Sequence, residues 1–232
     1  MKPRIKIDTT ILAFIIILTG FLCQFPRLYL ANLFFDDVLD LFGFIFILQG
    51  TSLRMIARGH KKAHSQKSRA LVSTGIYSLT RNPMYLGSFF IGMGFVCIVW
   101  PWWAVPAFAG LFYLRFRRQI RIEEEYLQEI FGQEYLSYCQ RVPRLFPSLK
   151  ILKGAGAGVV NLREAWDTKE KRGLLSWPAL AILLEWIQEK SVFGVSDWPR
   201  IANVFILAVV IFSAVFLIKY QEMSRGHGKS SE

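Results

Sequence analysis

The chain has 232 residues, of which 53% are hydrophobic and 19% charged, and its 28 Lys and Arg against 17 Asp and Glu give a net charge of +11. Water-soluble domains average about 45–50% apolar residues even with glycine counted, so the composition excludes a disordered tail and predicts an integral membrane protein. Three cysteines are too few for a disulfide framework or a four-cysteine zinc site. In a membrane protein the basic excess indicates loops facing an anionic leaflet rather than binding to nucleic acid.

Apolar segments predict five or six membrane-spanning helices, and therefore an all-α, polytopic helical bundle. A crossing helix needs about 20 mainly apolar residues. In chain order, the candidates are residues 11–30, 38–56, 84–114, 174–187 and 201–218. The segment 174–187 is short and contains a proline and a glutamate, so it fits either a short span or a helix lying in the membrane interface.

The segment 84–114 carries no charged side chain but is too long for one upright span and short for two. Pro101 and Pro106 interrupt it, close to Trp100, Trp102 and Trp103. Proline ends or kinks a helix, and tryptophan prefers the membrane–water interface. The sequence WPWWAVP therefore predicts the tip of a hairpin between two spans.

The distribution of positive charge predicts the orientation in the membrane. With six crossings and both termini cytoplasmic, the outer side keeps only Arg27, Lys190 and Arg200 among the 28 Lys and Arg, together with Asp36 and Asp37. This arrangement satisfies the positive-inside rule. If residues 174–187 do not span, five crossings remain.

The first apolar segment could also be a signal peptide, because Lys2, Arg4 and Lys6 precede it. A signal peptide ends in a small-x-small cleavage site. Here the run is followed by Cys-Gln-Phe-Pro at 23–26, and the sequence therefore favours an uncleaved span.

A change in composition divides the chain into two parts. Residues 150–158 (KILKGAGAG) are rich in glycine, and a charged run follows at 163–172. Glycine clusters between structured segments indicate a loop. We therefore predict a membrane core over 1–148 and a C-terminal extension over 149–232 with one or two further membrane helices.

Two polar motifs flank the predicted hairpin, at 81–87 (RNPMYLG) and at 121–125 (RIEEE). The two arms have similar lengths, so a reversal at the tip brings both motifs to the same depth on the cytoplasmic side. Backbone N–H groups at the helix start near Pro83 can hold a carboxylate or phosphate. Glu123 and Glu124 can accept hydrogen bonds from hydroxyl or ammonium groups. Together the motifs predict one ligand site.

Each motif also has a purely structural interpretation. Asn82 is a good helix N-cap, Arg81 can extend to lipid headgroups, and the glutamates can form a solvated helix face. The pairing of the motifs by the hairpin favours the functional interpretation.

The motifs between 71 and 147 resemble those of the isoprenylcysteine carboxyl methyltransferase and phospholipid N-methyltransferase family. LVSTGIYSLTRNPMYLG at 71–87 is similar to the family pattern G-x-Y-x-x-x-R-H-P-x-Y-x-G, and Gly92-Met93-Gly94 to its G-x-G element. The second half of the pattern is matched by Glu123, Glu124, Leu127, Phe131, Gly132, Tyr135, Tyr138 and the sequence RVPRLFP at 141–147. Asn82 stands where many members have His, and asparagine cannot titrate near neutral pH.

The resemblance implies an enzyme that binds S-adenosylmethionine and transfers its methyl group to a lipid-like acceptor entering from the bilayer, without a metal. It places the cofactor pocket at Tyr77, Arg81, Asn82, Pro83, Tyr85, Leu86, Gly87, Glu123 and Glu124. An isoprenylcysteine-type carboxylate would need an arginine to orient it, and the candidates are Arg117, Arg118 and Arg121. A phospholipid amine would need a base, for which a glutamate such as Glu124 is suited.

Two histidines outside these motifs, His60 and His64, have the i, i+4 spacing that can bind a metal on a helix. Four Lys or Arg neighbours within 58–67 disfavour a cation, so this segment predicts a patch that binds anionic lipids. Two other functional classes stay open. One is a small transporter, and the other is a non-catalytic, lipid-binding scaffold, which the replacement of His by Asn82 would favour. The sequence indicates no oligomeric state.

Overall fold

The computed structural model describes residues 17–29, 32–65, 70–147, 160–194 and 197–225, with side chains up to 221. Within these ranges all regular structure is helical, which confirms the all-α class. The helices are α1 (Leu33–His64), α2 (Pro83–Val99), α3 (Ala104–Arg141), α4 (Leu162–Trp166), α5 (Gly173–Val192) and α6 (Trp198–Arg225). Short 3₁₀ turns lie at Pro26–Leu28, Gly75–Ser78 and Lys169–Arg172. The predicted first span is described only over 17–29, and both termini and the glycine-rich segment 150–158 lie outside the described residues.

Helix α1 contains the predicted span 38–56 and continues past it to a basic end. Asn32 caps its start, since its side-chain oxygen accepts from the N–H groups of Phe34 at 3.1 Å and Phe35 at 3.3 Å. At 1.5 Å per residue its 32 residues extend over roughly 48 Å. This is longer than the hydrocarbon core of a bilayer, about 30 Å, so the basic end has room to project from it.

The predicted hairpin is confirmed. Helix α2 ends at Val99, Trp100 is extended with φ −111° and ψ 157°, and α3 begins at Ala104. Trp102 and Trp103 are exposed in the connecting turn. The Trp100 indole N–H donates to Thr19 Oγ1 at 2.9 Å and thereby ties the tip to the segment before α1.

Helices α1 and α2 cross closely because glycines face each other along the contact. A Cβ on Gly94 would lie 2.5 Å from the carbonyl oxygen of Gly43, and a Cβ on Gly50 would lie 2.5 Å from that of Gly87. In each helix the two glycines are seven positions apart and so recur on one face. Small residues at such a seam let helix backbones approach within a membrane.

Ion pairs connect the helix ends at opposite ends of the bundle. At one end Arg200 of α6 binds Asp37 at 2.7 Å, Glu189 of α5 at 2.7 Å and Asp36 of α1 at 3.3 Å. At the other end Glu170 binds Arg54 of α1 at 3.1 Å. The helices therefore run up and down between two polar ends, and the predicted outer residues Asp36, Asp37 and Arg200 share one of them.

By length and hydropathy, one helix among the described residues could cross a membrane: residues Trp198–Gln221 within α6. Pro83–Val99 is apolar but shorter. The predicted segment 174–187 lies within α5, which continues through Pro178.

Candidate functional site

The site is built on the turn at 75–82 that precedes α2. Gly75 has φ +59°, and a Cβ on it would lie 2.5 Å from the ring of His60, so only glycine fits both the backbone and the space. Tyr77 follows, buried, and its hydroxyl donates to the carbonyl oxygen of Ala57 in α1 at 3.4 Å. The turn is therefore fastened to the C-terminal half of α1.

The last part of α3 folds back over this turn. Gly132 interrupts the helix with φ 51° and ψ −122°, a backbone region that favours glycine. Beyond the bend, the hydroxyl of Tyr138 donates to the carbonyl oxygen of Tyr77 at 2.7 Å. The backbone N–H of Arg81 donates to the carbonyl oxygen of Pro143 at 3.0 Å. The Phe-Gly and Tyr-x-x-Tyr elements of the motif thus hold the turn in place.

Glu124 is the centre of a polar clasp, by which we mean Glu124, Arg81, Asn82 and Arg144. Its side chain is buried and receives both the Nε–H of Arg144 at 2.9 Å and an Nη2–H of the same residue. Arg81 Nη1 lies 3.4 Å from its other oxygen, and Asn82 Nδ2 donates to that oxygen at 3.4 Å. The carboxylate is thus occupied by protein donors. The hydrogen bond to Glu124 raises the pKa of Arg144 above its usual value.

Asn82 stands at the N-cap position of α2, but its side chain does not cap the helix. Its amide donates instead to the carbonyl oxygen of Arg144 at 3.0 Å as well as to Glu124. Asparagine thus performs, without titrating, the donor role that the clasp requires. The structural alternative, in which the side chain of Asn82 caps the helix, is therefore wrong.

Glu123 lies beside the clasp but is exposed and bound differently. The hydroxyl of Tyr85 donates to its carboxylate at 3.0 Å. Burial, and secondly the negative charge of Glu123, raise the pKa of Tyr77 well above its usual range. Tyr77 is therefore a neutral hydroxyl, and the Glu123 carboxylate is close enough to affect it.

A cavity of about 330 Å³ opens next to Tyr77, between the basic end of α1 and the start of α2. It is lined by Arg58, Lys61, Lys62, Ser65, Tyr77 and Met84. Its volume is at the lower limit of small-molecule sites, about 300–1,000 Å³. The cavity combines a cationic rim with apolar and aromatic walls. Three of the residues assigned from sequence to a lipid-binding patch thus line an open cavity.

The structure brings the two polar motifs together, as the hairpin predicted: Tyr85 contacts Glu123, and Asn82 and Arg81 contact Glu124. Pro83, Leu86 and Gly87 lie in the buried first turns of α2, with Gly87 at the crossing with α1. Arg117, Arg118 and Arg121 are exposed on α3 and stand outside the clasp. Gly94 serves the α1 crossing, and a Cβ on Gly92 would lie 2.4 Å from the ring of Phe108.

Sequence reasoning missed two partners of the site. Arg144 was part of the quoted motif, but its spacing gives no signal that it reaches Glu124. Glu170, in the C-terminal extension, binds both Arg54 and Arg58, and Arg54 also donates to Ser88. The extension therefore supplies one carboxylate that is shared by Arg58 at the rim of the cavity and by Arg54.

Comparison with known proteins gives a family and partial relatives. A family model described as phospholipid methyltransferase matches residues 9–134. Protein-S-isoprenylcysteine O-methyltransferase of Saccharomyces cerevisiae is 33% identical over 108 residues, which are 43% of this chain and 45% of that protein. The B enzyme of the same name from Arabidopsis thaliana is 33% identical over 114 residues, 46% of this chain and 58% of that protein. The Rattus norvegicus enzyme is 31% identical over 137 residues, which are 53% of this chain and 48% of that protein. The chain spans about half the length of these curated relatives, and no solved structure matches it.

Proposed function

The chain belongs to the phospholipid methyltransferase family, and from this we propose that it is a multi-pass membrane enzyme that methylates a lipid-like acceptor with S-adenosylmethionine. The acceptor is an isoprenylcysteine-type carboxylate, the substrate class in the names of its relatives. The observation that carries the proposal is the contact of Tyr85 with Glu123, by which the hairpin joins the two polar motifs beside the turn whose Tyr77 lines the cavity.

The apolar surface supports a membrane location with several crossings. Large apolar side chains are exposed along α6, among them Ile206, Val210 and Leu217, and also along α3 at Leu111 and Leu114. In water such contiguous patches would be unfavourable, whereas lipid tails solvate them. With the polar helix ends at two opposite sides, both termini are proposed to be cytoplasmic.

The residues around the cavity fit the groups of S-adenosylmethionine. The N–H donors of Arg58, Lys61 and Lys62 at the rim suit the carboxylate of its methionine part. Arg58 and Lys62 are exposed and keep further donors besides those bound to Glu170 and Asp167. Tyr77 and Met84 offer surface for the adenine ring. Glu123, with Tyr85 holding its carboxylate, suits the ribose hydroxyls or the ammonium group. The bound cofactor would supply an electrophilic methyl group, and no metal or covalent nucleophile is needed for its transfer.

The chain's own contribution is positioning and exclusion of water. Glu124 is committed to Arg81, Asn82 and Arg144, so we assign it to holding the turn rather than to proton transfer. Arg117 and Arg121, exposed on α3 within two turns before Glu123, are proposed to orient the acceptor carboxylate. A carboxylate attacks as the anion, so no base is required for this acceptor.

A row of aromatic rings supports a lipophilic acceptor. It begins at Tyr85, whose ring is 5.5 Å from that of Phe116, and continues to Phe112 at 4.3 Å and from there to Phe89 at 5.2 Å. The row follows the contact between α2 and α3 away from the cavity toward the apolar bundle. We propose that the acceptor's hydrocarbon chain lies along it.

The alternative acceptor is a phospholipid amine, which the description of the family model favours. An amine must lose a proton during methylation. Glu123 is exposed and bound by a neutral hydroxyl rather than by arginine, so it would be the proton acceptor.

We expect S-adenosylhomocysteine to bind the purified chain in detergent and to raise its melting temperature, because a ligand at 100 times its Kd stabilises by about 2.7 kcal/mol. Glu123→Ala should weaken the affinity at least tenfold, since a hydrogen bond to a charged group contributes about 1.5–3 kcal/mol. Differential scanning calorimetry measures the melting temperature, and isothermal titration calorimetry measures the affinity.

The matched control is Glu125→Ala, an equally exposed carboxylate two positions further along α3. It should keep the affinity of the unsubstituted chain. Equal losses in the two variants would mean that Glu123 has no specific role, and no stabilisation at saturating ligand would contradict the enzyme proposal and favour the scaffold or the transporter.

Transfer of label from S-[³H-methyl]-adenosylmethionine should distinguish the acceptors. We expect label in an S-farnesylcysteine derivative with a free carboxylate, released by mild alkali as an ester is, and none in the matched carboxamide. Label that resists alkali and appears in phosphatidylethanolamine vesicles would instead establish the amine acceptor.

A further inference from the structure

Three side chains that could bind a metal lie near the basic end of α1, and none of them lines the cavity at Tyr77. His60 and His64 of α1 are joined there by Glu164 of α4, and their ligand atoms lie within 4.8 Å of one another. Glu164 Oε2 is 3.4 Å from His60 Nδ1 and 3.9 Å from His64 Nδ1. We propose that these three residues bind one Zn²⁺ ion, which fastens the C-terminal extension to the core.

The spacing fits the metal. Two ligands in a tetrahedral zinc site, each at about 2.0–2.1 Å from the ion, are about 3.3 Å apart. The Glu164–His60 distance of 3.4 Å is close to this value, and the Glu164–His64 distance of 3.9 Å exceeds it by about 0.6 Å. His64 Nδ1 now contacts the carbonyl oxygen of His60 at 3.1 Å, and ligation replaces this contact. Two histidines and one glutamate are an established zinc ligand set that leaves a fourth position open.

Two further observations support a ligand at this position. Glu164 Oε2 is buried without a hydrogen-bond partner, which is unfavourable for a carboxylate oxygen unless a cation compensates it. His60 Nε2 is 3.1 Å from Thr74 Oγ1. With the Nε2 hydrogen donated to Thr74, Nδ1 keeps its lone pair toward Glu164, which is the usual way in which an outer hydrogen bond orients a ligating histidine.

The ion also has access and an electrostatic environment that permits it. A second cavity of about 290 Å³ is lined by His60, His64, Val160, Asn161, Leu162, Glu164 and Tyr220, and His64 is 46% exposed. The nearby cations Arg58 and Lys62 are paired with Glu170 and Asp167. The repulsion expected from the sequence is thus reduced by carboxylates that the extension supplies.

The site would join three parts of the fold. Glu164 belongs to α4, and Gly59 belongs to α1. A Cβ on Gly59 would lie 2.4 Å from the carbonyl oxygen of Glu164, so the backbones of the two helices are already in contact. The ring of His60 packs against Gly75 at the start of the turn at 75–82. Zinc would therefore hold the extension, the end of α1 and the turn together, independently of which acceptor is methylated.

The test uses the full chain carrying an affinity tag without histidine, with metal content measured after dialysis against ZnCl₂. We expect one Zn²⁺ per chain and a higher melting temperature with ZnCl₂ than with EDTA, whereas MgCl₂ has no effect. Glu164→Gln and His64→Ala should each weaken zinc binding at least about 100-fold, since even outer-shell changes cost 10–100-fold. His64 is half exposed, so its loss leaves the fold intact in EDTA.

The matched control is His227→Ala, the third histidine of the chain, which should leave stoichiometry and stabilisation unchanged. Cys139→Ser serves the same purpose for the thiols. Unchanged zinc binding in both ligand variants, loss in a control variant, or equal stabilisation by MgCl₂ would each overturn the proposal.

Discussion

Replacing Glu124 by alanine is expected to destabilise the protein by about 3–5 kcal/mol, the usual effect of removing one partner from a buried ion pair. The side chain of Arg81 is 15% exposed and that of Glu124 11%. Without the carboxylate, Arg81 keeps a buried charge whose remaining side-chain contact is the sulfur of Cys139. The loss should come mainly from this residue, because Arg144 is 44% exposed and can turn to water.

The same substitution loosens the contact between the turn at 75–82 and α3. Asn82 loses one of its two acceptors, and the turn is then held by Tyr138, Pro143 and the carbonyl oxygen of Arg144. We therefore expect the affinity for S-adenosylhomocysteine to fall together with the stability, although Glu124 is not proposed to touch the ligand.

Unfolding in mixed micelles of dodecyl maltoside and SDS, followed by far-UV circular dichroism, measures the effect. Glu125→Ala, at the next and exposed position, should change the free energy of unfolding by no more than about 0.5 kcal/mol. A Glu124→Ala chain that is as stable as Glu125→Ala, with weakened ligand binding alone, would show that Glu124 contacts the ligand directly.

The sequence predicted the part of the site that depends on local rules. The proline–tryptophan corner ends one helix and starts another, so the sequence alone places Asn82 and Glu124 at the same depth. The clasp's second arginine could not be predicted in this way. Arg144 reaches Glu124 only because Gly132 bends α3, and the sequence alone does not give the direction of a bend.

Contacts between distant segments explain the remaining differences. Glu164 and Glu170 lie 100 or more positions after their partners in α1, and no periodicity relates them. For this reason the segment with His60 and Arg58 was interpreted from its neighbours in sequence, as a patch that binds anionic lipids. Gly94 belongs to the G-x-G element of the motif, and the packing shows that it allows α1 to approach closely.

The largest effect on the fold away from the polar clasp is expected at this glycine. Gly94→Leu should destabilise the chain by about 3 kcal/mol, at the upper end of what overpacking costs. A Cβ at this position would lie 2.5 Å from the carbonyl oxygen of Gly43 and 2.6 Å from Ile47 Cγ1. The first of these is backbone and cannot move aside as a flexible side chain does, so α1 and α2 must separate.

Gly110→Leu is the matched control, because a Cβ on Gly110 of α3 has nothing within 4 Å. There the change should be neutral or stabilising by up to about 1 kcal/mol, since glycine is the poorer helix former. Separation of α1 from α2 would also move Met84 away from Arg58 across the cofactor cavity, so Gly94→Leu should weaken binding of S-adenosylhomocysteine where Gly110→Leu does not. If both leucines are tolerated equally in the unfolding titration, the glycine seam does not set the distance between these helices, and the shape of the cavity must be fixed by the turn and the polar clasp alone.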